Sequence, residues 1–83
     1  MTFERLIPHL AQSIKNRRIE LALSHAALAD LTGLSAEYLE FIESGGTNFS
    51  MKTLSTIADA MDTVPSELIE EAEHLADQTG KES

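Results

Sequence analysis

Apolar residues return at intervals of three and four along most of this chain and nowhere alternate in the manner of a strand. Ile7, Leu10, Ile14, Arg18 and Leu21 share one helical face. Pro8 opens that helix, because its missing N–H denies a continuous helix its backbone bond, so Thr2 to Ile7 form a turn or a short separate helix. Arg18 falls on the apolar face, and a cation there needs a partner. Ser24 is suited to cap a second, short helix whose buried side is marked by Leu28 and Leu31, with small Ala29 beside them. Gly33 ends it in the left-handed conformation. Ser35 caps a third helix with Glu37 and Tyr38 in its first turn, Leu39 and Ile42 facing inward, and a stop at Ser44-Gly45-Gly46. Residues 47–50 are a polar loop anchored by Phe49. Ser50 caps a fourth helix carrying Leu54, Ile57, Ala58 and Met61. A fifth begins at Pro65 or Ser66 and carries Leu68, Ile69, Ala72 and Leu75.

The expected fold is all-α: a compact bundle of five short helices, each too short to persist without its neighbours' apolar faces. Residues 1–76 form the domain, and the polar segment 77–83 is expected to be a frayed tail. There is no internal repeat. The 83 residues are 42% apolar and 24% charged, as in a soluble globular domain, and lack cysteine, which excludes disulfides and thiolate metal sites. No apolar run approaches a membrane span, and the first residues do not resemble a signal peptide, so a cytoplasmic location is expected. Neither His9 nor His74 has metal-ligand spacing. No nucleophile, phosphate loop or substrate pocket is apparent, so neither an enzyme nor a cofactor is expected.

The net charge of −8 argues against a nucleic-acid partner, but its distribution weakens that objection. Residues 1–48 hold four cations against six acids, a balance of −2. Residues 49–83 hold two against eight, a balance of −6. The acids Glu67, Glu70, Glu71 and Glu73 read as a solvated helix face. They also suit a surface that keeps the rear of the domain off DNA, or one that meets a basic partner such as RNA polymerase.

Residues 25–44, HAALADLTGLSAEYLEFIES, meet the steric demands of a helix-turn-helix. Ala29 is small where the helices cross. Gly33 tolerates positive φ in the turn. Leu28, Leu34, Leu39 and Ile42 supply the inner faces. At this point the chain resembles the Xre family of helix-turn-helix regulators, related to phage Cro and repressor proteins and to restriction-system controller proteins. The resemblance covers roughly residues 10–72. It rests on Arg17-Arg18-Ile19, on Leu23 to Ala29, on Gly33-Leu34-Ser35, on Ile42 to Gly45, and on Thr53-Leu54, Ile57-Ala58 and Ala60-Met61.

The resemblance implies that Ser35 to Ser44 enter the major groove and present Ser35, Ala36, Glu37, Glu40 and Phe41 to the bases. It places Tyr38 against backbone or base, which leaves exposed contact and half-buried packing both open for that ring. It assigns His25 to a phosphate contact, the alternative being a plain exposed helix-start residue. Arg17 and Lys52 suit phosphates, Ser24 and Asn48 complete the DNA-contact set, and Arg18 and Glu43 match an internal ion pair. Lys15 and Arg5 read as either phosphate contacts or solvated residues. The chain departs from the family in offering two Glu, an Ala and a Phe where Arg, Lys, Gln or Ser are usual, and in having Ser44 where a basic residue is typical. Glu can accept from cytosine N4 and Phe can touch a thymine methyl.

The implied function is a sequence-specific DNA-binding transcriptional regulator of the repressor type, reading a palindromic operator as a homodimer. Leu68, Ile69 and Leu75 exceed what one small core can cover, which points to dimerisation through the fourth and fifth helices. The alternatives are an antitoxin-like or adaptor module that kept the fold and lost DNA, and, at the margin, a DNA mimic.

Overall fold

A computed structural model describes residues 3–81, with side chains described for residues 5–78. Met1, Thr2 and the last two residues of the expected tail lie outside the described residues. The five helices are α1 (Phe3–Glu20), α2 (His25–Thr32), α3 (Ala36–Glu43), α4 (Met51–Ala60) and α5 (Pro65–Lys81), and no strand occurs among the described residues. The all-α helix-turn-helix architecture read from the sequence is the one observed.

The serine punctuation has its physical basis in the caps. Ser24 Oγ accepts from the Ala27 amide at 3.0 Å, Ser35 Oγ from Tyr38 at 3.1 Å and Ser50 Oγ from Thr53 at 3.1 Å. Gly33, at φ 77°, turns its N–H back to the Ala29 carbonyl at 2.9 Å and closes α2. Two further helix ends adopt the left-handed conformation without glycine: Ala22 at φ 57° after α1 and Asp62 at φ 55° after α4. In both, the next amide reaches back to the carbonyl five residues earlier, Leu23 to Arg18 at 3.1 Å and Thr63 to Ala58 at 3.0 Å.

Two boundary expectations are corrected. α1 runs unbroken through Pro8, which sits in its second turn. A proline so near a helix start removes one backbone bond, and the buried Leu6, Ile7 and Leu10 hold the turn on the core. Leu21 follows the end of α1, leaves the helical face with the turn at Ala22, and is 39% exposed. α5 extends to Lys81, with Ala72 and Ala76 buried along it.

The core gathers Leu10 and Ile14 from α1, Leu28 from α2, Leu39 and Ile42 from α3, and Leu54, Ile57 and Met61 from α4, all essentially inaccessible. Phe49 anchors the loop before α4, as its isolation in a polar segment suggests. Ser13 is fully buried in α1, and its hydroxyl lies 2.9 Å from the Leu68 carbonyl and 3.0 Å from Glu71 Oε2, so a polar contact links α1 to α5. Glu71 therefore turns toward α1, while Glu67, Glu70 and Glu73 are exposed as expected. Leu31, expected inside, is 59% exposed: α2 has barely two turns and packs through Leu28, and Leu31 lies beyond the covered edge. Leu68 is buried and Ile69 and Leu75 are half-buried, so the apolar surplus expected of α5 is largely absorbed within one chain.

The left-handed Ala22 yields a test. An L-residue there carries a steric cost of about 1–2 kcal/mol, partly offset by the greater unfolded-state freedom of glycine. Ala22→Gly should raise stability by roughly 0.5–1 kcal/mol in urea denaturation; a loss of stability would contradict the backbone conformation assigned to this turn.

Candidate nucleic-acid interface

The helix-turn-helix is built on small local bonds. Thr32 Oγ1 donates to the Leu28 carbonyl at 2.8 Å and accepts from the Leu34 amide at 3.2 Å, which fixes the exit from α2. Ala29 and Leu34 pack against the core at the crossing. Leu39 and Ile42 pull α3 inward, and the opposite edge presents Ser35, Glu37, Glu40 and Phe41 to solvent. Ala36 is half-buried. Tyr38 is also half-buried and packs on the core, so of the two readings open for it, packing is the one observed. Phe41 is 51% exposed. Its ring lies over Gly46, where an added Cβ would come within 3.0 Å of Phe41 Cε1.

The orientation of α3 is held from behind by a cation. Arg18 donates Nε to Glu43 Oε2 at 2.7 Å and Nη2 to Oε1 at 3.0 Å, a two-pronged pair. Its remaining nitrogen, Nη1, donates to the Leu23 carbonyl at 2.8 Å, just before α2. One guanidinium thus ties the end of α1, the entry to α2 and the last residue of α3. The side chains are 11% and 5% exposed. Hydrogen bonding to Glu43 raises the Arg18 pKa above its ordinary value, outweighing the opposing effect of burial.

The other expected contacts distribute unevenly. Arg17, assigned by resemblance to phosphate, faces the far end of α4. Its Nε donates to the Met61 carbonyl at 3.1 Å and Nη2 to the Asp62 carbonyl at 3.2 Å, satisfying the end of α4 beside its left-handed residue. It also lies 3.7 Å from Glu20. His25 is not a plain exposed helix-start residue. Its ring is 27% exposed and sits against α3, with Nδ1 3.7 Å from Glu40 and Nε2 3.1 Å from Glu43. Ser24, Asn48 and Lys52 are exposed. Between residues 25 and 52 the chain has a single cation, Lys52, against Asp30, Glu37, Glu40 and Glu43. No set of three His, Asp or Glu side chains suited to one metal ion occurs among the described residues. No helix among them is long and apolar enough to cross a membrane.

Comparison with known proteins agrees with this geometry. A family model described as helix-turn-helix, HTH_3, matches residues 14–69. The restriction-modification controller protein C.AhdI from Aeromonas hydrophila superposes with a TM-score of 0.72 at 32% identity, over 75% of this chain and 94% of its own. The clp gene regulator ClgR from Corynebacterium glutamicum gives a TM-score of 0.84 over 93% of this chain and 83% of its own; at 23% identity it shows the fold alone. An HTH_3 family transcriptional regulator from Vibrio cholerae gives 0.79 at 31% identity, over 89% of this chain but 42% of its own. No curated protein sequence matches the chain.

Two stability tests follow from these bonds. Arg18→Met or Glu43→Leu alone should each cost about 3–5 kcal/mol, because the remaining charge is buried unpaired, and the double variant should recover most of that loss. Additive losses in denaturation would contradict a coupled pair. Arg17→Ala should lower stability by about 1–3 kcal/mol through the freed carbonyls of α4. Unchanged stability would contradict these bonds.

Proposed function

The chain belongs to the helix-turn-helix family of transcription regulators, and on that footing we propose that it is a cytoplasmic repressor that binds a two-fold symmetric operator as a homodimer. The observation that carries the reading is the free outer edge of α3. Ser35, Glu37, Glu40 and Phe41 project from a capped helix whose inner side is locked to the core by Leu39, Ile42 and Glu43. A helix so held can enter the major groove without rearranging the domain. Glu37 and Glu40 accept from the amino groups of cytosine or adenine, and Phe41 meets a thymine methyl. Ser24, His25, Ala36, Tyr38, Asn48 and Lys52 border this edge in the sequence. Lys52 and the capped starts of α2 and α4 approach phosphates.

Dimerisation is proposed through α4 and α5, where Met51 at the start of α4 and Val64 just before α5 are 54% and 49% exposed. The outward residues of α5, among them Glu70, Glu73 and Asp77, are acidic. That acidic side is the surface offered to a basic partner such as RNA polymerase.

Selection from random duplexes at about 50 and 200 mM salt tests the proposal. A palindrome with half-sites about 34 Å apart should emerge, and Glu37→Ala should change the preferred bases rather than tighten binding to every sequence. Absence of enrichment at either salt, together with retention of a protein from the same cells, would favour an adaptor or antitoxin-like module.

A further inference from the structure

His25 is the first residue of α2, yet its ring is turned toward the reading helix. Nδ1 lies 3.7 Å from Glu40 Oε1 and Nε2 lies 3.1 Å from Glu43 Oε1. Nε2 is buried and has no hydrogen-bond partner, so the short approach to Glu43 lacks the alignment of a hydrogen bond. Both Glu43 oxygens already accept from Arg18. A polar atom this close to a carboxylate and left unsatisfied calls for an explanation.

The ring faces Glu40 and Glu43 from α3, and the Arg18 guanidinium of α1 bonds the same Glu43 carboxylate. Phosphates of a duplex docked near the start of α2 would all favour a positive charge on the ring, and that charge would offset part of what Glu40 and Glu43 bring to the groove.

We propose that DNA and a proton bind together: His25 takes up a proton as the duplex docks, and so acts as the cation that the reading helix otherwise lacks. This rests on the DNA-reading function proposed above. Here His25 is a positioning residue, acting on DNA through Glu40 and Glu43 without touching a base.

The test measures affinity for the selected duplex by fluorescence anisotropy between about pH 6 and 8, the range in which histidine changes charge. Uptake of one proton limits the dependence to about tenfold per pH unit, and affinity should fall several-fold as pH rises. His25→Gln and His25→Asn should remove that dependence while retaining binding. His9→Gln and His74→Gln should leave it intact. Titration calorimetry of the unaltered protein in buffers of different ionisation heat should report proton uptake, independently of how any variant folds. Binding with equal pH dependence in the His25 variants and the unaltered protein, or buffer-independent heats, would overturn the proton linkage and leave DNA reading standing. Failure to bind any duplex at any pH would overturn both.

Discussion

Arg18 and Glu43 form the contact on which the placement of α3 depends. α3 has eight residues and would not hold its shape in water alone. Leu39 and Ile42 bury its inner side, but apolar contacts are non-directional and leave its rotation loosely defined. The two-pronged bond to Arg18 adds direction, and the third bond of the same guanidinium, to the Leu23 carbonyl, refers α3 to the start of α2. Because the pair is nearly enclosed, it contributes geometry more than net stability, and either partner left alone would be costly.

The outer edge so positioned poses an electrostatic problem. Protein–DNA affinity usually comes from cations displacing condensed counterions, and this chain carries a net charge of −8 with both Arg17 and Arg18 bonded internally. Weak attraction to arbitrary DNA is the physical consequence. A site read by carboxylates, helix starts and an aromatic ring can still be selective, because suppressing non-specific binding raises the ratio on which discrimination depends. The proposed dimer, by doubling the contacts, and the proposed charge on His25 would both act in the same direction.

Features set by neighbouring residues were legible in the sequence, and features set by distant ones were not. The caps at Ser24, Ser35 and Ser50 and the turn at Gly33 need only a few consecutive residues, and the structure has each of them where the pattern puts it. Pro8 misled because tertiary burial of Leu6, Ile7 and Leu10 overrides a local helix-breaking tendency. Leu31 misled because a two-turn helix offers too few residues to define its buried arc. Arg18 was legible as an internal partner because it falls on the apolar face, whereas the bonds of Arg17 to the end of α4 depend on residues more than forty positions away. The inward turn of His25 carried no local signal. Glu40 and Glu43, one turn apart, are the residues that could have suggested it.

The most direct measurement is amide chemical-shift mapping during titration with the selected duplex. Shifts should concentrate on residues 35–41, on the capped amides of Ala27 and Tyr38, and at the start of α4, leaving the outward face of α5 unmoved. Shifts confined to α5, or spread evenly over the domain, would contradict the central claim that the outer edge of α3 is the surface that meets DNA.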